Sequence, residues 1–337
     1  MATVKTGSWT RSTQACPRQA REVGMRIAVL GGGGAMGGLF GGWLADAGND
    51  VTLIDVSAPA VEAINASGLT IEEKDGSRRH VQVGASSNPA GVGPVDLIVN
   101  FVKCYHTDSA IRSAMPMVGP DTAILSLQNG WGNAPRIAAV AGEERVLVGL
   151  TYHSATLVAP GHVKHPGLGM TFMGELDGQA SPRLQRAVEA FKAAGFETTL
   201  STSILNEVWK KLALNVCTLP TAALLRLHAH ELVEHEGVMD TMRALLTEVV
   251  TVAGAQGIQL DFDERWEAIT GLLRRAIGGK ASMLQDVEAR RRTEIDVING
   301  AIVEAGRRHG IPTPYNDTMV WLVRSLEETF DTQAKAA

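Results

Sequence analysis

Lys211 and Asn215 stand four residues apart in Glu207-Val208-Trp209-Lys210-Lys211-Leu212-Ala213-Leu214-Asn215. On a helix that spacing projects both from one face. Trp209, Leu212 and Val216 supply apolar neighbours. A lysine on such a partly buried face loses solvation, its pKa falls toward neutrality, and it becomes a usable general acid for an alkoxide forming from a carbonyl. An asparagine beside it can hold the same oxygen. From spacing alone, a solvated Lys210/Lys211 pair near a helix start is an equal alternative.

A second constellation is Arg26-Ile27-Ala28-Val29-Leu30-Gly31-Gly32-Gly33-Gly34-Ala35-Met36-Gly37. An apolar run enters a glycine turn, which opens a segment with helical spacing at Leu39, Phe40, Trp43 and Leu44. Strand, tight turn and helix make the phosphate-binding corner of a dinucleotide fold. Gly32, Gly34 and Gly37 fit the GxGxxG spacing. Ala35 and Met36 bring the helix N-terminus, whose unpaired N–H groups attract a pyrophosphate. Asp55 lies 18 residues past Gly37 at the end of the next strand-like run, Asp50-Val51-Thr52-Leu53-Ile54-Asp55. An acid there accepts from both ribose hydroxyls and repels a 2′-phosphate, and Asp55-Val56-Ser57-Ala58-Pro59 contains no Arg or Lys. The pattern therefore favours NAD(H) over NADP(H). The plainer reading of Asp55 is a helix cap or turn acid. A membrane span over the 19 uncharged residues 27–45 is disfavoured, because eight glycines make a poor helix and a strand ending in an acid follows.

A third cluster is Ser282-Met283-Leu284-Gln285-Asp286, then Thr293-Glu294-Ile295-Asp296 and Asn299-Gly300. Ser282 could cap a helix through its hydroxyl or offer it to a carboxylate. Glu294 follows Arg290, Arg291 and Arg292, so a surface ion pair is its plain reading. The histidines, His228, His230 and His235 or His153, His162 and His165, complete no metal-ligand spacing, and no metal site is expected.

Positioning these residues requires an α/β domain followed by helices. Strand candidates are 26–30, 51–54, 97–101, 123–126, 146–151 and 171–173, with helices beginning near Ala35, Ala58, His106 and Asn133. Such alternation implies a mostly parallel sheet with helices on both faces and a ligand beyond the carboxyl ends of the strands, where Asp55, Lys103 and Asn129 fall. Residues 70–83 alternate around Gly76 as an inserted hairpin. From about Ser203 the period becomes helical, over 204–218, 231–256, 263–277, 282–308 and 315–330. The expected organisation is a disordered tail over 1–24, a Rossmann domain over 25–202 and an all-helical substrate and dimerisation domain over 203–330.

Bulk composition is that of a globular protein: 337 residues, 45% hydrophobic, 20% charged, with a net charge of −5 that gives no broad basic surface for nucleic acid. Three cysteines form no disulfide framework and suggest a reducing, cytoplasmic setting. The polar first 24 residues have no apolar core of a secretory signal. Cys104, beside Lys103, reads as a half-buried spectator rather than a reactive thiol.

Six ordered motifs together resemble the ketopantoate reductase (2-dehydropantoate 2-reductase) family from Met25 to about Leu326. They are Gly34-Ala35-Met36-Gly37; Val102-Lys103; Leu127-Gln128-Asn129-Gly130 with Gly132-Asn133; Trp209-Lys210-Lys211 with Asn215; the Ser282 to Gly300 cluster; and Pro312-Thr313-Pro314. The resemblance implies a Rossmann domain joined to a helical domain, with substrate between them. It implies that Lys211 donates a proton to the C2 oxygen of a 2-keto acid as hydride arrives from NAD(P)H. It further implies that Lys103 and Asn129 line the nicotinamide end, that Asn215 and Ser282 hold substrate, and that Glu294 binds a substrate hydroxyl or tunes Lys211. It implies a homodimer and a small-molecule partner, with no membrane. The chain departs from the family pattern in three places: one extra glycine in the 31–34 turn, Asp55 where NADPH-using members often carry basic residues, and Leu219 where a second substrate-contacting asparagine is common. Leucine suits a substrate with an apolar group there. The rival readings are an NAD-dependent D-2-hydroxyacid dehydrogenase of branched or aromatic 2-keto acids, a β-hydroxyacid dehydrogenase, and a non-catalytic NAD(H)-sensing regulator.

Overall fold

The computed structural model describes residues 24–332, so the tail expected over 1–24 lies, all but its last residue, outside the described residues. In chain order the strands are β1 Arg26–Leu30, β2 Asp50–Ile54, β3 Leu69–Glu73, β4 Arg78–Val81, β5 Gly84–Ser86, β6 Val95–Asn100, β7 Val118–Ser126, β8 Val146–Thr151, β9 Ser154–Ala159, β10 His162–Gly167, β11 Thr171–Gly174 and β12 Thr198–Leu200. The helices are α1 Ala35–Asp46, α2 Ala58–Ser67, α3 Thr107–Ala114, α4 Asn133–Ala141, α5 Pro182–Ala193, α6 Ile204–Leu225, α7 Glu236–Ala255, α8 Phe262–Arg275, α9 Ser282–Glu288, α10 Asn299–His309 and α11 Pro314–Glu328. The N-terminal half is an α/β sheet domain, and α6 to α11 form the helical C-terminal domain.

The main sheet runs β12-β11-β8-β7-β6-β1-β2-β5 and is parallel except between β8 and β11. Its central strands are apolar on both faces. Ile27 and Val29 face one core layer with Phe40 and Leu44 of α1, whereas Ala28 and Leu30 face another with Ile111 of α3 and Ile137 of α4. Two buried faces explain why these strands read as unbroken apolar runs. Strand order reverses between β1 and β6, and the crevice beyond their carboxyl ends is where such sheets bind ligands.

The inserted hairpin is present as β3 and β4, with Gly76 at φ 84° in the turn, but it belongs to a second sheet, β4-β3-β10-β9, that sequence reading missed. β9 is exposed at almost every position, so it carries no alternation to detect. The stretch 282–308 is not one helix. It breaks after α9, where Arg290 adopts φ 52°, continues through a 3-10 turn at Ile295–Val297, and resumes as α10. The stretch 231–256 begins as a 3-10 turn at His230–Val233 before α7.

α6 joins the two domains. Its first turns put Ile204 and Val208 into the sheet's core, and from Trp209 onward it enters the helical core. Lys211 therefore sits where the helix crosses the junction. On the far side, Glu248 of α7 accepts from the Tyr315 and Asn316 N–H groups at 2.9 Å each, a carboxylate fixing the N-terminus of α11.

Candidate active site

The glycine turn has a separate requirement at almost every position. Gly31 takes φ 76°, and its N–H and that of Gly32 bond to the Ile54 carbonyl at 2.9 and 3.1 Å. A Cβ on Gly32 would lie 2.6 Å from Leu53 Cβ, and one on Gly33 would lie 2.9 Å from the Asp55 carboxylate. A Cβ on Gly37 would collide with the Gly31 carbonyl. Gly31 thus makes the turn, and Gly32 fits it against β2. Gly34 is the N-cap of α1, with no side-chain cap and no acid in the first turn that includes Ala35 and Met36. This positive end, which no side chain of the described residues caps, fits the pyrophosphate of a dinucleotide.

Asp55 is half-buried and accepts from the Gly33 N–H and the Ser57 N–H, both at 2.9 Å. It ties the turn to β2, as the turn-acid reading expects. A carboxylate has about four acceptor sites, so capacity remains for ribose hydroxyls.

At the ends of β6 and β7 a buried polar network sets the next loop. Asn100 Nδ2 donates to Gln128 Oε1 at 2.8 Å, and Gln128 Nε2 donates to the Val102 carbonyl at 2.7 Å and Thr107 Oγ1 at 2.9 Å. Asn133 Nδ2 donates to the Asn129 carbonyl at 3.0 Å. The loop then crosses to the helical domain: the Trp131 N–H bonds the Val297 carbonyl at 2.8 Å, and Gly130, at φ 81°, has no room for a Cβ against it. This network holds Asn129 so that its Oδ1 accepts from Lys211 Nζ at 2.9 Å.

Asn129, Lys211 and Asn215 line one cleft at the junction with Trp131, Val208 and Leu212. The solvated-pair alternative fails, because Lys210 pairs with Glu207 at 3.0 Å while Lys211 turns inward. Lys211 is half-buried and has no carboxylate in salt-bridge range among the described residues. Burial lowers its pKa to about 8, opposed by the Glu294 charge, which raises it. Its ammonium lies 5.9 Å from the Tyr152 ring, a neighbour no sequence pattern marked. Asn215 is 7% exposed and its amide makes no hydrogen bond to the described residues.

Lys103 belongs to a second cluster. Its Nζ donates to Asp286 Oδ2 at 2.7 Å and reaches Glu294 Oε2 at 3.5 Å. Burial lowers its pKa, but Glu294 and Asp286 together hold it above the ordinary lysine value. Glu294 is not a surface partner of the arginines: it is buried, and its Oε1 accepts from the Cys104 N–H at 3.1 Å. Arg291 goes to Asp286 and Arg292 to Asp296, at 3.0 Å each. The Cys104 thiol is buried and pushed up to about 12, first by burial and then by Glu294, as befits a spectator.

Ser282 is exposed at the first position of α9, whose N-cap is Ala281, so it does not cap the helix, and it makes no hydrogen bond to the described residues. Leu219 packs in the helical core and is not among the residues lining the Lys211 cleft. Among the described residues no helix is long and apolar enough to cross a membrane, and no group of three or more His, Cys, Asp or Glu could hold a metal ion.

Comparison with known proteins bears on the whole chain. The family model described as ketopantoate reductase PanE/ApbA matches residues 27–178, and that for the PanE/ApbA C terminal matches 203–327. The 2-dehydropantoate 2-reductase of Halobacterium salinarum is 34% identical over 300 residues, covering 89% of this chain and 98% of that one. That of Pyrococcus horikoshii is 34% identical over 303 residues, covering 90% and 98%. A PanE/ApbA family ketopantoate reductase from Ralstonia eutropha JMP134 superposes with TM-score 0.80 at 32% identity, covering 90% of this chain and 99% of that one. A ternary complex of D-mandelate dehydrogenase with NADH and anilino(oxo)acetate superposes with TM-score 0.85 at 28% identity, covering 91% and 100%.

Proposed function

The chain belongs to the ketopantoate reductase family of NAD(P)-dependent oxidoreductases, and from that premise we propose that it reduces a 2-keto acid to a 2-hydroxy acid with Lys211 as the proton donor. The observation that carries this reading is a half-buried lysine with no carboxylate in salt-bridge range among the described residues, held by Asn129 across the domain junction.

A nicotinamide cofactor, when bound, would supply hydride to C2. The C2 oxygen then gathers negative charge, and Lys211 Nζ gives it a proton. Lys211 has three N–H bonds; one is taken by Asn129 Oδ1, which aims the others into the cleft. With its pKa lowered to about 8, the ammonium is mostly protonated at neutral pH yet far easier to deprotonate than a solvated lysine. Asn215, one turn further along α6, offers its free amide to the substrate, and the exposed Ser282 hydroxyl its O–H to the carboxylate. Glu294 acts on Lys211 through its charge. The glycine turn Gly32–Gly37 with Ala35 and Met36 would hold the pyrophosphate, and Asp55 would hold the ribose, which favours NAD(H). Lys103 and Asn129 would flank the nicotinamide end. The domains divide as 25–202 for cofactor and 203–330 for substrate and for contacts in a homodimer, where the exposed Trp321 of α11 offers apolar surface.

2-Dehydropantoate is the first substrate to test, since the named relatives carry that activity in their names. The second reading is a dehydrogenase of bulkier 2-hydroxy acids, favoured by the D-mandelate dehydrogenase likeness. The deciding experiment is NADH and NADPH oxidation with a panel of 2-keto acids that includes 2-dehydropantoate and benzoylformate. Turnover of none of them, with NADH still bound, would reject the reductase reading.

A further inference from the structure

Asp286 lies in a recognisable motif but has no role in the reading above. Its side chain is 4% exposed and takes three donors: Lys103 Nζ at 2.7 Å, Arg291 Nε at 3.2 Å and Arg291 Nη2 at 3.0 Å. The Arg291 N–H also bonds the Asp286 carbonyl at 2.8 Å, closing the reversal at Arg290 that brings Glu294 back to the junction. Lys103 is thus shared unequally. It sits 2.7 Å from Asp286 and 3.5 Å from Glu294, a full hydrogen bond to the first and a loose contact with the second.

We propose that Asp286 is a positioning residue: it draws the Lys103 ammonium across the domain junction and off Glu294, so that the Glu294 carboxylate remains free to act on Lys211. The inference rests on Lys211 being the proton donor. Without Asp286, Lys103 closes onto Glu294 as its one remaining carboxylate, and the charge that supports the Lys211 ammonium is neutralised at its source. The charged and titratable groups around Lys103 are Asp286 from α9, Glu294 from the segment after it, and Tyr105 from its own loop. Arg291 reaches it through Asp286. Asp296 and Arg136 act on the neighbouring Cys104. Among the described residues Glu294 is the charged group that acts on Lys211, and the titratable Tyr152 faces its ammonium with the ring at 5.9 Å.

The test is the pH dependence of kcat/KM for 2-keto acid reduction by the full-length enzyme, read on the alkaline limb where Lys211 loses its proton. Asp286→Asn should move that limb down by about 0.5–1 pH unit, and Asp286→Glu should restore it. Lys103→Met should move it up, since Glu294 then acts on Lys211 alone. Adding Asp286→Asn to Lys103→Met should shift the limb no further, because Asp286 acts through Lys103. An Asp286→Asn enzyme that loses activity by one factor at every pH, with the limb unmoved, overturns the positioning role and leaves Lys211 as donor. A wild-type limb that does not depend on Lys211 overturns both. Should Asp286→Asn not fold, a downward or absent shift in Lys103→Met overturns the proposal and an upward shift supports it.

Discussion

Two lysines meet the domain junction from opposite sides and end in opposite electrostatic states. Lys103 comes from the sheet domain and finds two carboxylates of the helical domain; its charge is compensated, and its pKa stands above the usual lysine value. Lys211 comes from the helical domain and finds a neutral amide oxygen of the sheet domain; burial, opposed only in part by the Glu294 charge, lowers its pKa to about 8. The same side chain is thus charge-paired in one place and, in the other, left with a neutral partner and a lowered pKa. The difference lies in the partners, since burial disfavours both ammonium groups. Each lysine reaches across to the other domain, so both states depend on the domains being packed together.

The comparison breaks most visibly in turnover. Lys211→Ala should lower kcat by about 10²–10⁴-fold, the range of general acid catalysis, while the Kd for NADH measured by fluorescence titration changes little. Unchanged turnover would remove Lys211 as donor. In the wild type, kcat/KM for reduction should fall as pH rises through about 8, because the proposed donor is the protonated form of Lys211. A rate flat to pH 10 would place the donor elsewhere.

Stability should show the sign difference directly. Lys211→Met removes an unpaired ammonium that the fold must desolvate, so it should stabilise the protein by about 1–2 kcal/mol at pH 7. The linkage sign is that a lysine lowered in the folded state costs stability wherever the unfolded chain is protonated. The gain should therefore fade as pH rises from about 8 toward the unfolded value of about 10.4. Lys103→Met leaves Asp286 and Glu294 without their shared cation and should destabilise by about 2 kcal/mol, less than for a fully buried pair because the ammonium is partly exposed. Denaturant melts of both variants check this, and equal signs would undo the contrast.

A smaller effect is expected within the sheet domain. Glu73 accepts from His165 Nδ1 at 2.9 Å, and His165 Nε2 lies 3.0 Å from His153 Nδ1. The carboxylate places the proton on His165 Nδ1, so His165 Nε2 accepts and His153 donates. His153 Nε2 is then a bare lone pair with no partner among the described residues, beside Phe40, Trp43 and Phe196. Burial and the neighbouring His165 lower the His153 pKa to about 4. The unfolded chain takes up that proton first, so stability should decline as pH falls from about 6.5 toward 4, and His153→Phe should flatten the decline by about 1 kcal/mol. Melts at pH 4 to 8 test it.

Much of this was legible in the residues. The strand–turn–helix at 26–37, the acid at 55 and the i, i+4 pair at 211 and 215 are local patterns, and local geometry is what a linear sequence encodes. The parallel sheet followed by helices was legible because hydrophobic period changes near residue 203. The break at Arg290 was not, since apolar residues on either side keep a helical period. The exposed strand 154–159 was not either, for it has no buried face to alternate.

The chain by itself therefore determined which groups are chemically able to act: a lysine, an asparagine, a glycine turn, and an acid able to receive a ribose. Which lysine is paired with carboxylates and which is left with a lowered pKa was decided only in three dimensions. Asp286 and Glu294 lie 183 and 191 residues from Lys103, and Asn129 lies 82 from Lys211. A charge's cost depends on the solvent it has lost and the partner it has gained, and both are set by contacts between domains that no local period records.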